Sequence, residues 1–305
     1  MVTGAELFYP EPKEKKENLY DFEESLKRII DGLKNPLVKM IVIKGLRRTG
    51  KSSLLRVALN ECGYGYVLID MREFDDISPK AFRRELTRAL REVLSGKVKV
   101  VLDRIKAVSV LGIRLDIKSK KTTYRQLFRK INEIAMNKNT YFILAIDEAQ
   151  EVARFGFDKY LAFAYDNLKA IKLILTGSQI GLLSEVLDNP DAPLFGRPRL
   201  EIDIEKLSRE RGKEFLEQGF AKYNVIISEI WIQKALDIFD GIIGWLNLFG
   251  WHIVNLGNPE EALQKTLQDA KKLAKKELEK FLKTRGIAYD RYVHVIKLLA
   301  SGPRK

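Results

Sequence analysis

One segment constrains this chain more than any other: Gly45-Leu46-Arg47-Arg48-Thr49-Gly50-Lys51-Ser52. It follows directly on a Val/Ile-rich run, Lys39–Lys44, and opens a run with Leu54, Leu55 and Ala58 at helical spacing. A strand that turns through two glycines into a helix has a definite physical use. Glycine permits a tight backbone path on which several N–H groups converge. The helix behind the turn adds unpaired first-turn N–H groups and the positive end of its dipole. Such a turn cradles phosphate groups. The backbone of Gly45, Arg48, Thr49, Gly50, Lys51, Ser52 and Ser53 is then expected to wrap the phosphates. Lys51 brings a mobile positive charge to the β and γ phosphates, and Ser52 offers its hydroxyl to Mg²⁺, which takes few protein ligands.

A second feature gives the first its context. The apolar run Tyr141–Ile146 ends in Asp147-Glu148. In open α/β sheets, groups at the carboxyl ends of strands face the ligand crevice. Asp147 is placed to hold the water shell of the metal, and Glu148 to polarise an attacking water as general base. Gln150 lies close enough to help position that water. A Glu beside the Asp favours hydrolysis over nucleotide storage, and it disfavours a nucleotide kinase.

Strand-like and helical runs alternate from Lys39 to Leu207, which predicts a parallel sheet flanked by helices. Strands are expected at Lys39–Lys44, Tyr64–Met71, Tyr141–Ile146, Lys172–Leu175 and Leu200–Ile204, with helices over 51–60 and 124–136. Ser78 can cap a further helix with Pro79 at its first position, and Val108–Lys118 reads as a hairpin around Gly112. Beyond Leu207 the strand signal stops. Helices are expected over 208–219, 228–239, 245–256 and 260–283, with breaks at Gly219, Asp240-Gly241 and Gly257-Asn258-Pro259. The resulting division is a core over 1–207, a helical lid over 208–286, and a further domain beginning at 287.

The chain has 305 residues, 46% hydrophobic and 31% charged, which is a core-forming composition. The single cysteine, Cys62, excludes an internal disulfide framework and fits a reducing, cytoplasmic setting. The apolar stretch Ile242–Leu256 is too short for a membrane span, so no membrane partner is expected. The net charge of +13 raises nucleic acid as a partner. His252 and His294 lack companions at metal-ligand spacing and are read as core, which leaves Mg²⁺ as the metal.

Together these motifs resemble the additional-strand P-loop ATPases. More narrowly they resemble the archaeal ATPase family related to AAA+ and the signalling STAND ATPases. Four further segments carry the likeness: Leu19–Leu26, similar to the family's opening motif although Phe22 stands where an Arg is usual; Asp147-Glu148-Ala149-Gln150; Leu175-Thr176-Gly177-Ser178-Gln179; and Leu194-Phe195-Gly196-Arg197. The resemblance implies an α/β P-loop NTPase sheet with flanking helices, an all-helical lid and the start of a winged helix. It implies ATP and Mg²⁺ as ligands. Thr176 or Ser178 would sense the γ-phosphate, and Arg197, with Arg199 competing, would be an arginine finger. Tyr20 and Asp21 would edge the adenine pocket, with Phe22 beside them read first as core packing. Gly241–Leu246 resembles a lid segment of the family but lacks its proline.

Asp290–Gly302 looks like the first helix of a winged helix-turn-helix, and the sequence stops at Lys305, before a recognition helix could form. That domain is therefore expected to be truncated or absent. The functional expectation is ATP binding with slow hydrolysis, used as a conformational switch, with a homo-oligomer or protein partner. The alternative is a nucleotide-gated DNA-binding or scaffold regulator whose hydrolysis is incidental.

Overall fold

A computed structural model describes residues 7–74, 77–94, 99–102, 105–108, 123–177, 180–283 and 289–301. The chain divides into two compact units: residues 11–211 with 242–244, and the described residues up to Pro10 with 212–241 and 245 onward.

The first unit holds a sheet of β1 (Met40–Gly45), β2 (Gly65–Asp70), β3 (Lys99–Leu102), β4 (Ile105–Val108), β5 (Phe142–Asp147), β6 (Ile171–Gly177) and β7 (Leu200–Ile204). Its order is β3-β4-β2-β5-β6-β1-β7. The five strands from β2 to β7 in this order run parallel, and β6 lies between β1 and β5. This is the additional-strand arrangement. The central strands are apolar on both faces because helices cover both. Met40 and Val42 belong to one cluster, with residues of α3 (Pro79–Leu94), α4 (Tyr124–Asn137), α5 (Asp158–Asn167) and α6 (Ile180–Leu187). Ile41 and Ile43 point the other way, into a cluster with α1 (Glu23–Lys34) and α2 (Lys51–Glu61). Ser78 Oγ accepts from Ala81 N at 3.3 Å, so α3 begins where its capping residue predicts.

The sheet gains two strands that the sequence did not announce. Strands β3 and β4 pair antiparallel with each other, and β4 pairs antiparallel with β2. The hairpin expected around Gly112 falls outside the described residues apart from Val108. Strands of four residues carry too little alternation to declare themselves; pairing with β2 defines β4, and pairing with β4 defines β3. Within the sheet, Lys172 is buried and donates to the carbonyls of Asn35 at 2.5 Å and Val38 at 2.8 Å. It thereby ties the exit of α1 to β6.

The second unit contains α7 (Arg209–Lys222) from Gly212 onward, α8 (Glu229–Phe239), most of α9 (Ile243–Leu256), α10 (Pro259–Lys283) and α11 (Tyr289–Ala300). Gly219 does not break α7, contrary to expectation. A Cβ there would lie 2.0 Å from Phe8 Cζ, and one at Gly250 would lie 2.5 Å from the same ring. Both glycines make room for Phe8, which is fully buried and packs on Phe215, Phe220 and Tyr223. Tertiary packing, not helix termination, explains them. His252 is buried with Nε2 3.2 Å from Asp269 Oδ2, whereas His294 is exposed on α11 and not in a core. Helix α11 forms where the sequence suggests one; no wing lies among the described residues. Among them, too, no helix is long and apolar enough to cross a membrane.

Candidate active site

The phosphate loop joins β1 to α2, at the carboxyl edge of the parallel strands. Gly45 fits there because a Cβ would lie 2.2 Å from the carbonyl oxygen of Ile204 on β7. Gly50 has φ +96, and its missing Cβ leaves space for the Phe22 ring. Arg48 also adopts a positive φ, +62, and its carbonyl accepts from Gly244 N at 2.9 Å. Gly244 belongs to the lid-like segment singled out in the sequence, so Ile242–Gly244 borders the loop in the first unit. The first helical bond of α2 is Leu54 N to Gly50 O, at 2.9 Å. The amides of Lys51, Ser52 and Ser53 thus precede any intrahelical acceptor and remain available to an anion.

Lys51 is buried, and its ammonium donates to the Leu46 carbonyl. Thr49 Oγ1 donates to that same carbonyl at 2.9 Å. Burial lowers the Lys51 pKa to about 8, against the opposing pull of Glu148 and Asp147. Ser53 does not turn its side chain to the loop; its Oγ accepts from Lys13 N at 3.0 Å.

Opposite the loop, Ser52 Oγ donates to Asp147 Oδ2 at 2.7 Å. Thr176 Oγ1, at the end of β6, donates to Asp147 Oδ1 and accepts from Glu148 N at 3.3 Å. Among the described residues, Thr176 thus brings a hydroxyl to this centre; Ser178 lies outside them. Burial pushes the Asp147 pKa up, and the Arg72 guanidinium beside it pulls the other way. Glu148 stands at φ +56, an uncommon backbone for a non-glycine residue. Its Oε2 accepts from Gln150 Nε2 at 2.5 Å. Gln150 Oε1 is buried and accepts no hydrogen bond from a described residue.

Tyr20 and Asp21 turn toward Arg211: Tyr20 Oη donates to its carbonyl at 3.1 Å, and Asp21 Oδ1 is 3.6 Å from its Nε. Arg197 is not brought to the loop. It precedes β7, at the opposite edge of the sheet, and holds Asp166 through Nη2 at 2.6 Å and Nε at 2.9 Å. Arg199 is paired with Asp188 at 2.5 Å and Glu201 at 2.7 Å. Sequence reasoning missed Arg72 and Asp70. Asp70 ends β2 in register with Asp147, and Arg72 Nη2 reaches Asp147 Oδ2 at 3.1 Å. The signal was present, because Asp70 closes an apolar strand just as Asp147 does.

A parallel sheet with a Gly-rich loop into a helix, facing a strand-end Asp-Glu across an inserted strand, defines an additional-strand P-loop NTPase fold. The sequence model of a family described as an ATPase domain predominantly from Archaea matches residues 19–248, and the chain belongs to that family. A Walker-type ATPase of Pyrococcus abyssi is 33% identical with TM-score 0.79, covering 97% of this chain and 84% of that one. The Aeropyrum pernix ORC2 protein, in ADPNP–ADP complexes, is 12% identical with TM-score 0.57, over 86% of this chain and 70% of that one. The Aeropyrum pernix ORC1 protein in complex with DNA is 12% identical with TM-score 0.52, over 94% and 74%. These last two show a shared fold. None of the curated proteins matches the sequence.

A phosphate bound at the loop would favour the charged form of Lys51 and so raise its pKa. Since the free group titrates at about 8, ADP affinity is expected to fall as pH climbs through that value. The fall is up to about tenfold per pH unit. Below that pH this group contributes no further change. Calorimetry just above it, in two buffers of different ionisation heat, should register net proton uptake. Binding with no proton exchange would contradict a partly neutral Lys51.

Proposed function

We propose that this chain binds ATP with Mg²⁺ and hydrolyses it slowly, the nucleotide state serving as a conformational switch of the AAA+/STAND-like type. The observation that carries this reading is the hydrogen bond from Ser52 to Asp147. It brings together residues 95 apart in sequence, one from each motif. A hydroxyl and a carboxylate are hard oxygen donors, and the pair suits a cation that keeps most of its water. When bound, Mg²⁺ would supply charge neutralisation at the phosphate oxygens.

The protein's own groups divide the work. The loop amides and Lys51 hold the β and γ phosphates, with Lys51 exchanging the Leu46 carbonyl for phosphate oxygen. Glu148 accepts a proton from the attacking water, and the buried Gln150 Oε1 offers that water a second acceptor. Thr176 bridges the two carboxylate residues, so a change at the metal side is felt at Glu148. Tyr20 and Asp21 border the base, and Arg197 would act on the site of a neighbouring copy. Phosphate release from ATP is expected with Mg²⁺ and to fall at least about a hundredfold in excess EDTA. Release at equal rates in both would reject a metal-assisted hydrolase.

A second reading, a nucleotide-gated regulator that contacts DNA, is favoured by the net charge of +13. Single-turnover hydrolysis with and without duplex DNA separates the two.

A further inference from the structure

The reading above leaves Arg72 without a task, although it stands beside the metal-binding pair. The short turn Met71–Phe74 carries it directly off the end of β2. Asp70 fixes its guanidinium, with Nε to Oδ1 at 2.8 Å and Nη2 to Oδ2 at 2.5 Å. Because Asp70 and Asp147 are register partners on adjacent strands, the same Nη2 lies 3.1 Å from Asp147 Oδ2. That oxygen is also the acceptor of Ser52 Oγ, at 2.7 Å. A guanidinium therefore already occupies the oxygen that a metal held by Ser52 and Asp147 would need.

The two partners differ in freedom. The Asp147 side chain is 4% exposed and that of Arg72 is 47% exposed. Ser52 and Thr176 hold the carboxylate independently of Arg72, while the arginine can move aside and keep its grip on Asp70. A buried carboxylate without a nearby cation is costly, and it would repel the phosphate tail of a nucleotide arriving without metal.

We propose that Arg72 is a stand-in cation. It neutralises Asp147 in the metal-free site and gives way when Mg²⁺ arrives. It thereby sets the Mg²⁺ concentration at which the site loads. Arg72 is a positioning residue in this scheme and touches no reacting atom. The inference rests on the nucleotide-binding reading and deepens it.

The test is R72Q, with affinity for a fluorescent ADP analogue measured in EDTA and in saturating Mg²⁺. Binding in EDTA is expected to weaken about tenfold, a usual size for coupled sites. Binding in Mg²⁺ should stay unchanged or tighten. By linkage, the Mg²⁺ concentration giving half the effect should fall by a similar factor. R72K, which restores the charge without the planar fork, should lie between R72Q and wild type, and this keeps the test valid if R72Q proves unstable on melting. Equal weakening in both conditions would make Arg72 a phosphate ligand. No change in either would leave it a structural residue. Each of these overturns the proposal while sparing the nucleotide site. Failure of the wild-type protein to bind in either condition would overturn both.

Discussion

Replacing Lys51 with Ala is expected to lower ATP affinity by about a hundredfold or more. Truncating one partner of a desolvated charge pair typically costs about 2–5 kcal/mol or more, and each 1.4 kcal/mol is about tenfold in binding. Lys51 is buried at the mouth of α2, so a contact with phosphate would form away from bulk water. The same burial makes the substitution informative. The Lys51 pKa is lowered, so holding the ammonium charged costs the folded protein stability. That cost applies in full below about 8 and fades as pH rises toward 10.5. Removing Lys51 relieves it. The variant should therefore melt no lower than wild type at neutral pH while losing nucleotide. Equilibrium binding with thermal melting checks both halves. Retained affinity would show that the loop's amides suffice and that the ammonium is incidental.

The second large effect is expected at Glu148. Glu148→Gln preserves shape, and its amide oxygen can still accept from Gln150 Nε2, now at 2.5 Å from Oε2. The change removes the negative charge and, with it, the ability to take a proton. General-base catalysis of this kind contributes about 10²–10⁴-fold. Turnover should fall by that factor and ATP affinity should stay close to wild type. Quench-flow or steady-state phosphate release, paired with equilibrium binding, separates the two quantities. A variant that hydrolyses at the normal rate would remove Glu148 from the mechanism. Gln150 or an outside group would then have to orient the water.

The five parallel strands and the helices around them were legible because their signals are local. A Val/Ile run bounded by glycine reads the same with or without its neighbours. Ser52 and Asp147 were legible as separate motifs, and the structure joins them at 2.7 Å. The unread parts are those fixed by contacts distant in sequence. Gly219 resembles a helix break until Phe8 is packed against it. Lys172 is a charge inside a strand until the carbonyls of Asn35 and Val38 surround its ammonium. Arg72 resembles a surface residue after a strand until the register of β2 with β5 carries it to Asp147. Strand β4 needed β2 to define it. The position of Arg197 was equally hidden, since the direction of β7 decides which edge of the sheet it joins.

Uptake of labelled ATP by the purified chain in the presence of magnesium tests the phosphate-loop reading most directly. Saturable, stoichiometric binding that ADP displaces and Lys51→Ala weakens by about a hundredfold or more is the predicted result. No uptake by the wild-type chain, at any ATP concentration up to the millimolar range, would contradict it.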